Sequence, residues 1–160
     1  MDFFNQTGKL AIGSRLRMLT DKITVDAAAI YKMFGVDLKP KWFPVFFVLS
    51  RGEAKTITSI AKEIGHSHPS VSNIIKEMVA KGLVKETKDK SDGRRNMVML
   101  SAKGKRMSDS FSEQCIDVTA AIEQITQQTR NDLWEAIEEW ENLLLDKSLL
   151  ERVKEAKKER

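Results

Sequence analysis

The spacing of apolar residues predicts a mainly helical chain with one small hairpin. Apolar positions recur at steps of three and four, the pattern of helices that lie on a core, over residues 9–34, 41–50, 58–64, 68–81, 102–127 and 130–146. Two short runs, 83–88 and 97–101, predict β-strands, and the Asp-Gly between them is a hairpin signal. Residues 147–160 are helix-prone but increasingly charged, so we expect that end to fray.

The turn between the third and fourth predicted helices is short and well marked. Gly65 ends the helix at 58–64, for which Thr58 is the predicted N-cap. Ser67 caps the next helix, with Pro69 inside its first turn. Helix, tight turn, second helix and hairpin predict a winged helix-turn-helix. The fold class is therefore mainly α with a small β-hairpin wing, and long additional helices on either side.

The helix at 68–81 has one face built for a core and an opposite face of short polar residues. An α-helix fits the major groove of B-DNA, and short polar side chains allow close approach to base edges. Asn73 can offer a donor and an acceptor to adenine, whereas Ser67, Ser70 and Lys76 can hold phosphates. The candidate DNA-binding residues of this helix are Ser67, His68, Pro69, Ser70, Ser72, Asn73 and Lys76.

The segment between the two predicted strands is the second candidate contact to DNA. Arg94 and Arg95 lie where a wing would reach the adjacent minor groove, whose negative potential attracts arginine. Asp92 either pairs with Arg94 and orients its guanidinium, which we favour, or is an isolated loop acid. The candidate wing residues are Lys88, Lys90, Asp92, Arg94 and Arg95.

Charge and composition narrow the function classes. The 160 residues are 41% hydrophobic and 31% charged, as in a globular protein, with no apolar run of membrane-spanning length. Lys and Arg outnumber Asp and Glu by 12 to 5 over residues 55–106, which favours a polyanionic partner. One cysteine excludes an intramolecular disulfide, and without a signal-like N-terminus we expect a cytoplasmic protein.

Catalytic and metal-binding patterns are weak in this sequence. We find no nucleophile–base set and no phosphate-binding glycine loop, so we expect no enzyme activity. His66 and His68 lack a third histidine nearby, and the one cysteine is distant in sequence. We therefore expect no metal and no cofactor, and favour turn and DNA-facing roles for the two histidines.

The stretch GHSHPSVSNIIKEMVAKGLV and the following KDKSDGRRNMVMLSAKG resemble the MarR family of bacterial transcriptional regulators. The likeness includes Ser67, the Lys-Gly-Leu-Val turn, Asp92 with Arg94, and the Leu100–Gly104 exit, and the order of elements agrees from Leu10 to about Leu145. It implies a homodimer on a pseudo-palindromic operator. Residues 1–36 and 102–146 would dimerise, and residues 37–101 would bind DNA. Lys39 departs from the family's helix-capping Ser or Thr.

Two further expectations follow from the resemblance. Relatives take up small aromatic effectors between the dimer helices and the winged domain, where Trp42, Phe43, Phe46 and Phe47 could line a pocket; plain core packing explains most of these residues equally well. Some relatives use a cysteine as a redox sensor, but Cys115 lies in an apolar stripe, and we favour a buried small hydrophobe. Others continue into an acetyltransferase domain, which the charged extension at 147–160 does not contain.

The sequence therefore predicts a dimeric, sequence-specific DNA-binding transcriptional regulator, a repressor released by a small molecule. The alternative is a winged-helix module for protein–protein assembly that has no specific DNA binding. Salt dependence separates the two, because binding through several phosphates weakens steeply as salt rises.

Overall fold

The computed structural model describes residues 3–88 and 96–160. The residues up to Cys115 form one compact unit and Ile116–Arg160 another, and each is described by itself. The described elements, in chain order, are α1 (Phe3–Thr7), α2 (Ile12–Met33), α3 (Phe43–Ser50), α4 (Ile57–Glu63), α5 (His68–Ala80), β1 (Val84–Lys88), β2 (Asn96–Leu100), α6 (Ala102–Gln128), α7 (Leu133–Asp146) and α8 (Leu149–Lys158). Single 3₁₀ turns, Gly8–Ala11 and Pro40–Trp42, precede α2 and α3. The predicted fold class, mainly helical with one antiparallel hairpin, is confirmed.

The core of the first unit lies where α3, α4, α5 and the hairpin meet. It also receives the end of α2, through Tyr31, and Phe111 of α6. The largest side chains that are almost wholly excluded from solvent are Trp42, Phe46, Phe111, Leu49, Ile60, Ile75 and Met78. Burial of this apolar surface, at about 25 cal/mol per Å², is the main stabilising contribution to the unit.

The helix-turn-helix is held by its caps. Ser67 adopts an extended conformation and its Oγ accepts a hydrogen bond from the backbone N–H of Ser70 at 3.4 Å, as predicted for the start of α5. Gly65, in the turn, has φ of +66°, a conformation that glycine adopts without strain. The cap predicted for α4 was wrong: Thr56, not Thr58, accepts from Ser59 N at 3.1 Å. Both are threonines, and the helix begins one residue earlier than the apolar pattern indicated.

The hairpin is antiparallel, from Val84 opposite Leu100 to Lys88 opposite Asn96. A third segment joins it, because Lys55 and Val98 exchange two backbone hydrogen bonds, with N···O distances of 2.9 and 2.7 Å. This pairing was not predicted. It ties the loop before α4 to β2 and so fixes the base of the hairpin to the helix-turn-helix.

The chain leaves the hairpin through a tight contact between Ser101 and Gly82. The Ser101 hydroxyl donates to Gly82 O at 2.6 Å and accepts from Gly104 N at 3.0 Å, so it caps α6 as predicted. A side chain at Gly104 would collide with the carbonyl oxygen of Leu83. Glycine at this position therefore allows the first turn of α6 to pack on the end of the helix-turn-helix.

The second unit, Ile116–Arg160, has a different character. None of its residues is buried. A capping box between Ser148 and Glu151 starts α8, and Arg152 donates to the carbonyl oxygens of Leu143 (2.9 Å) and Lys147 (3.1 Å). The helix continues to Lys158, and only Glu159 and Arg160 lie beyond it. The expected fraying stays a prediction.

Candidate nucleic-acid interface

The outer face of α5 consists of short or polar side chains, as the sequence predicted. His68, Pro69, Asn73 and Lys76 are exposed. Ser70 and Ser72 are partly buried and lie beside them. The inner face carries Val71, Ile74, Ile75 and Met78, all buried. Because these four apolar side chains are used by the core, the polar face is left to meet solvent or a partner.

The turn before α5 uses His66 structurally. Its Nδ1 lies 2.8 Å from the carbonyl oxygen of Ile64, and its backbone N–H donates to Ala61 O at 2.9 Å. Since a carbonyl can only accept, Nδ1 carries the proton in this contact. The predicted turn role of His66 therefore has a direct structural basis, and the nearby His68, at the start of α5, is solvent-exposed.

A cluster that the sequence did not predict lies in the second half of α5. The carboxylate of Glu77 accepts hydrogen bonds from Lys41 Nζ at 2.7 Å, Trp42 Nε1 at 2.9 Å and Lys39 Nζ at 3.3 Å. The hydrogen bonds from Lys41 and Trp42, with that from Lys39, lower the pKa of Glu77 to about 2.

Beside this cluster is a shallow cavity of about 310 Å³. Its walls come from the start of α3 and from the outer face of α5, and include Lys41, Ser70, Asn73 and Glu77. The structure therefore brings Lys41 onto the same surface as two of the predicted DNA-binding residues.

The predicted wing is described only at its edges. Lys88 ends β1 and is exposed. Lys90, Asp92, Arg94 and Arg95 lie outside the described residues, and the predicted pairing of Asp92 with Arg94 stays a prediction. The last described pair of the hairpin is Lys88 opposite Asn96.

The four aromatic residues predicted to line an effector pocket divide into two pairs. Trp42 and Phe46 are core residues, 1% and 0% exposed. Phe43 and Phe47 are 39% and 38% exposed, with ring centroids 5.7 Å apart, and both rings also neighbour Phe111. Core packing accounts for the first pair. The second pair is partly exposed, and the Arg51 guanidinium lies 5.1 Å from the centroid of the Phe47 ring.

Cys115 is half-buried beside the core, and burial raises the pKa of its thiol. A thiol with a raised pKa is a poor nucleophile, which agrees with the predicted role as a small hydrophobe. Burial and the neighbouring Cys115 raise the pKa of Tyr31 to about 12. Among residues 3–88 and 96–160, no three His, Cys, Asp or Glu side chains are grouped so that they could hold a metal ion. No helix in that part of the chain has the length and apolarity to cross a membrane.

A known protein family matches the segment that contains α3, α4, α5 and β1. Residues 36–95 match the model of the MarR family. Among solved structures, the transcriptional repressor CouR bound to a 23-mer DNA duplex is similar, with a TM-score of 0.64 and 20% identity over 87% of this chain and 96% of that one. No curated protein matches the sequence.

Two further structures show the same fold. The adhesin competence repressor AdcR of Streptococcus pyogenes has a TM-score of 0.60 and 19% identity, over 84% of this chain and 95% of that one. The regulator PcaV of Streptomyces coelicolor, in complex with its natural ligand, has a TM-score of 0.62 and 13% identity, over 85% and 92%. At these identities the likeness establishes the fold.

Proposed function

We propose that this chain, whose residues 36–95 match the model of the MarR family, is a member of that family and a dimeric, sequence-specific DNA-binding repressor. Its partner is a pseudo-palindromic operator, its place is the cytoplasm, and its activity is binding without catalysis. Two copies would present their α5 helices to successive major grooves, about one helical turn apart.

The single observation that carries the DNA-binding proposal is the exposed polar face of α5. Asn73 projects from a helix whose opposite face is buried in the core. A helix fixed in this way can enter the major groove without rearranging, and the capped N-terminus at Ser67 offers backbone N–H groups to phosphate. Outside the described residues, the proposal for Arg94 and Arg95 rests on the sequence alone.

Exposed apolar surface supports the homodimer. α2 exposes Leu16, Leu19 and Ile23, and α7 exposes Trp134 and Trp140 among others. Exposed apolar stripes of this extent are typical of interaction surfaces. Charge is complementary as well: residues 3–20 carry three basic and no acidic side chains, whereas residues 132–146 carry six acidic and no basic ones. Pairing of these segments between copies would bring opposite charges together.

Repression and release by a small molecule are the finer part of the proposal. Two of the similar structures are of proteins named as repressors, and a third is of a regulator with its natural ligand. In this chain, the partly exposed rings of Phe43 and Phe47, beside the Arg51 guanidinium that lies over Phe47, are the aromatic surface offered to a small aromatic effector. Trp42 and Phe46 would act only as the core behind it.

Asn73→Ala tests the base-reading role. The variant should lose about 1–3 kcal/mol of discrimination between its operator and random DNA, because one bidentate contact to a base is removed. Binding to random DNA should stay nearly unchanged. Fluorescence anisotropy with an operator found by selection and with a scrambled duplex, at several salt concentrations, measures both quantities.

The matched control is Asn142→Ala, another exposed helical asparagine, which lies on α7. It should leave discrimination unchanged. Equal loss on operator and scrambled DNA for Asn73→Ala would reject base reading, and binding that did not weaken with salt would favour the protein-assembly alternative.

A further inference from the structure

Glu77 is an acidic side chain on the very stripe of α5 that the proposed function turns toward DNA. It follows Asn73 by four residues and Ser70 by seven, so the three share one face of the helix. All three line the same cavity. A lone carboxylate at that position would repel the phosphate backbone, so its presence on this face requires an explanation.

The contacts of Glu77 supply one. Its two oxygens hold the ammonium groups of Lys41, at 2.7 Å, and Lys39, at 3.3 Å. Two cations around one anion leave the cluster with a net charge of about +1. The Lys39 ammonium also lies 5.0 Å from the centroid of the Trp42 ring, which holds it near the protein surface.

The cluster is anchored at one side and open at the other. Trp42, whose Nε1–H donates to Glu77 at 2.9 Å, is 1% exposed and belongs to the core. The side chains of Lys39 and Lys41 are each 55% exposed. Each ammonium has three donors, so both retain donors for another acceptor after binding the carboxylate.

We propose that Lys39 and Lys41, gathered by Glu77 at the edge of α5, bind a phosphate of the DNA backbone as a third contact beside the recognition helix and the wing. This inference rests on the proposed function. The acceptor is identified by chemistry and by place: Lys41 lines the cavity that Ser70 and Asn73 also line, and Lys39 is held beside it by the Glu77 carboxylate. Such a contact supplies affinity and register but no sequence preference. Glu77 acts through the lysines and is a positioning residue.

The double variant Lys39→Met/Lys41→Met removes both charges and keeps similar, unbranched side chains. It should bind operator and scrambled duplex about tenfold more weakly, with equal weakening on both, because phosphate is bound on any sequence. The slope of log affinity against log salt should become shallower by about 1 for each phosphate that the variant no longer neutralises. The control Lys154→Met/Lys157→Met on α8 removes the same net charge from exposed positions and should keep the wild-type slope.

Glu77→Gln separates phosphate binding from simple bracing of the fold. The amide of Gln keeps one oxygen that can accept hydrogen bonds from the lysines and removes the negative charge. Both ammonium groups therefore stay at this edge of α5 with one more net positive charge, and the salt slope should be at least as steep as that of the wild type. If the lysines only brace α5, Glu77→Gln should instead reproduce the weaker binding of the double methionine variant. Lys39→Arg/Lys41→Arg, which keeps two cations, should retain the wild-type slope even where the methionine variant folds poorly.

Two results would overturn the inference: an unchanged slope in the methionine variant, or a shallower slope shared by that variant and Glu77→Gln. Both leave the proposed function intact as long as wild-type protein binds DNA with a strong salt dependence and Asn73→Ala loses discrimination. Absence of salt-dependent binding by the wild type would instead reject the proposed function.

Discussion

The two compact units of this chain differ in how far their apolar residues are buried. Up to Cys115, large side chains such as Phe46 and Ile75 are fully enclosed. From Ile116 onward no residue is buried, and Trp134 is 71% exposed. The first unit therefore has a core of its own. The second unit has helix caps and an ion pair, but its apolar side chains are exposed. We propose that a second copy of the chain covers them.

The largest expected effect lies in the first unit and compares two neighbouring phenylalanines. Phe46→Ala should destabilise the fold by about 3–5 kcal/mol, since it leaves a cavity in an enclosed core. Phe47→Ala, at a position 38% exposed, should cost less than half of that. Denaturant unfolding followed by circular dichroism measures both. Equal costs would mean that Phe47 is enclosed as fully as Phe46, against the exposures described.

A smaller effect is expected for the second unit, in assembly. Trp140→Asp places a charge on the exposed apolar stripe of α7 and should raise the dimer dissociation constant by at least about tenfold, because buried tryptophans are common interface hot spots. Sedimentation equilibrium measures the constant. Ala156→Asp, which adds the same charge at an exposed position of α8, is the control and should leave the constant nearly unchanged. If Trp140→Asp remains as dimeric as the wild type, α7 does not form the interface.

The smallest effect compares one carboxylate from each unit in acid. Hydrogen bonds from Lys41 and Trp42 lower the pKa of Glu77 to about 2, and the hydrogen bond from Ser148 lowers the pKa of Glu151. A lowered folded-state pKa gives stability that is present above the unfolded value, near 4.5, and is lost as pH falls.

For Glu77 the window runs from about pH 4.5 down to about 2. Glu77→Gln should therefore flatten the fall of stability across that window, and Glu151→Gln should flatten it less. Unfolding melts at several pH values give the comparison. A larger effect from Glu151→Gln would contradict the hydrogen bonds described for Glu77.

The spacing of apolar residues predicted the elements and the two faces of α5 well. When apolar residues recur at steps of three and four positions, they share one face of the helix, and that face is buried. The Ser67 cap and the Ser101 cap followed from residue type and position. Thr56 and Thr58 are the same residue type two positions apart, so residue type alone could not show which of them caps α4. Residue spacing alone cannot show that Phe46 is enclosed while Phe47 is not.

Local sequence patterns could not predict contacts between segments that are far apart in the chain. The pairing of Lys55 with Val98 joins residues far apart in the chain, and nothing in either segment indicates it. The same holds for Lys39 and Lys41, which reach Glu77 across 38 and 36 positions. These contacts arise only when the core brings α3 and α5 together, and they changed the candidate site by adding a cationic pair to it.

The most direct test of the central claim is selection of bound sequences from a pool of random duplexes with the full chain. If paired copies insert α5 into successive major grooves, the enriched sequences will contain an inverted repeat with half-site centres about 10–10.5 base pairs apart. Asn73→Ala will lose preference at one position in each half-site. Enrichment of a single unrepeated motif, or of no motif, would contradict the account.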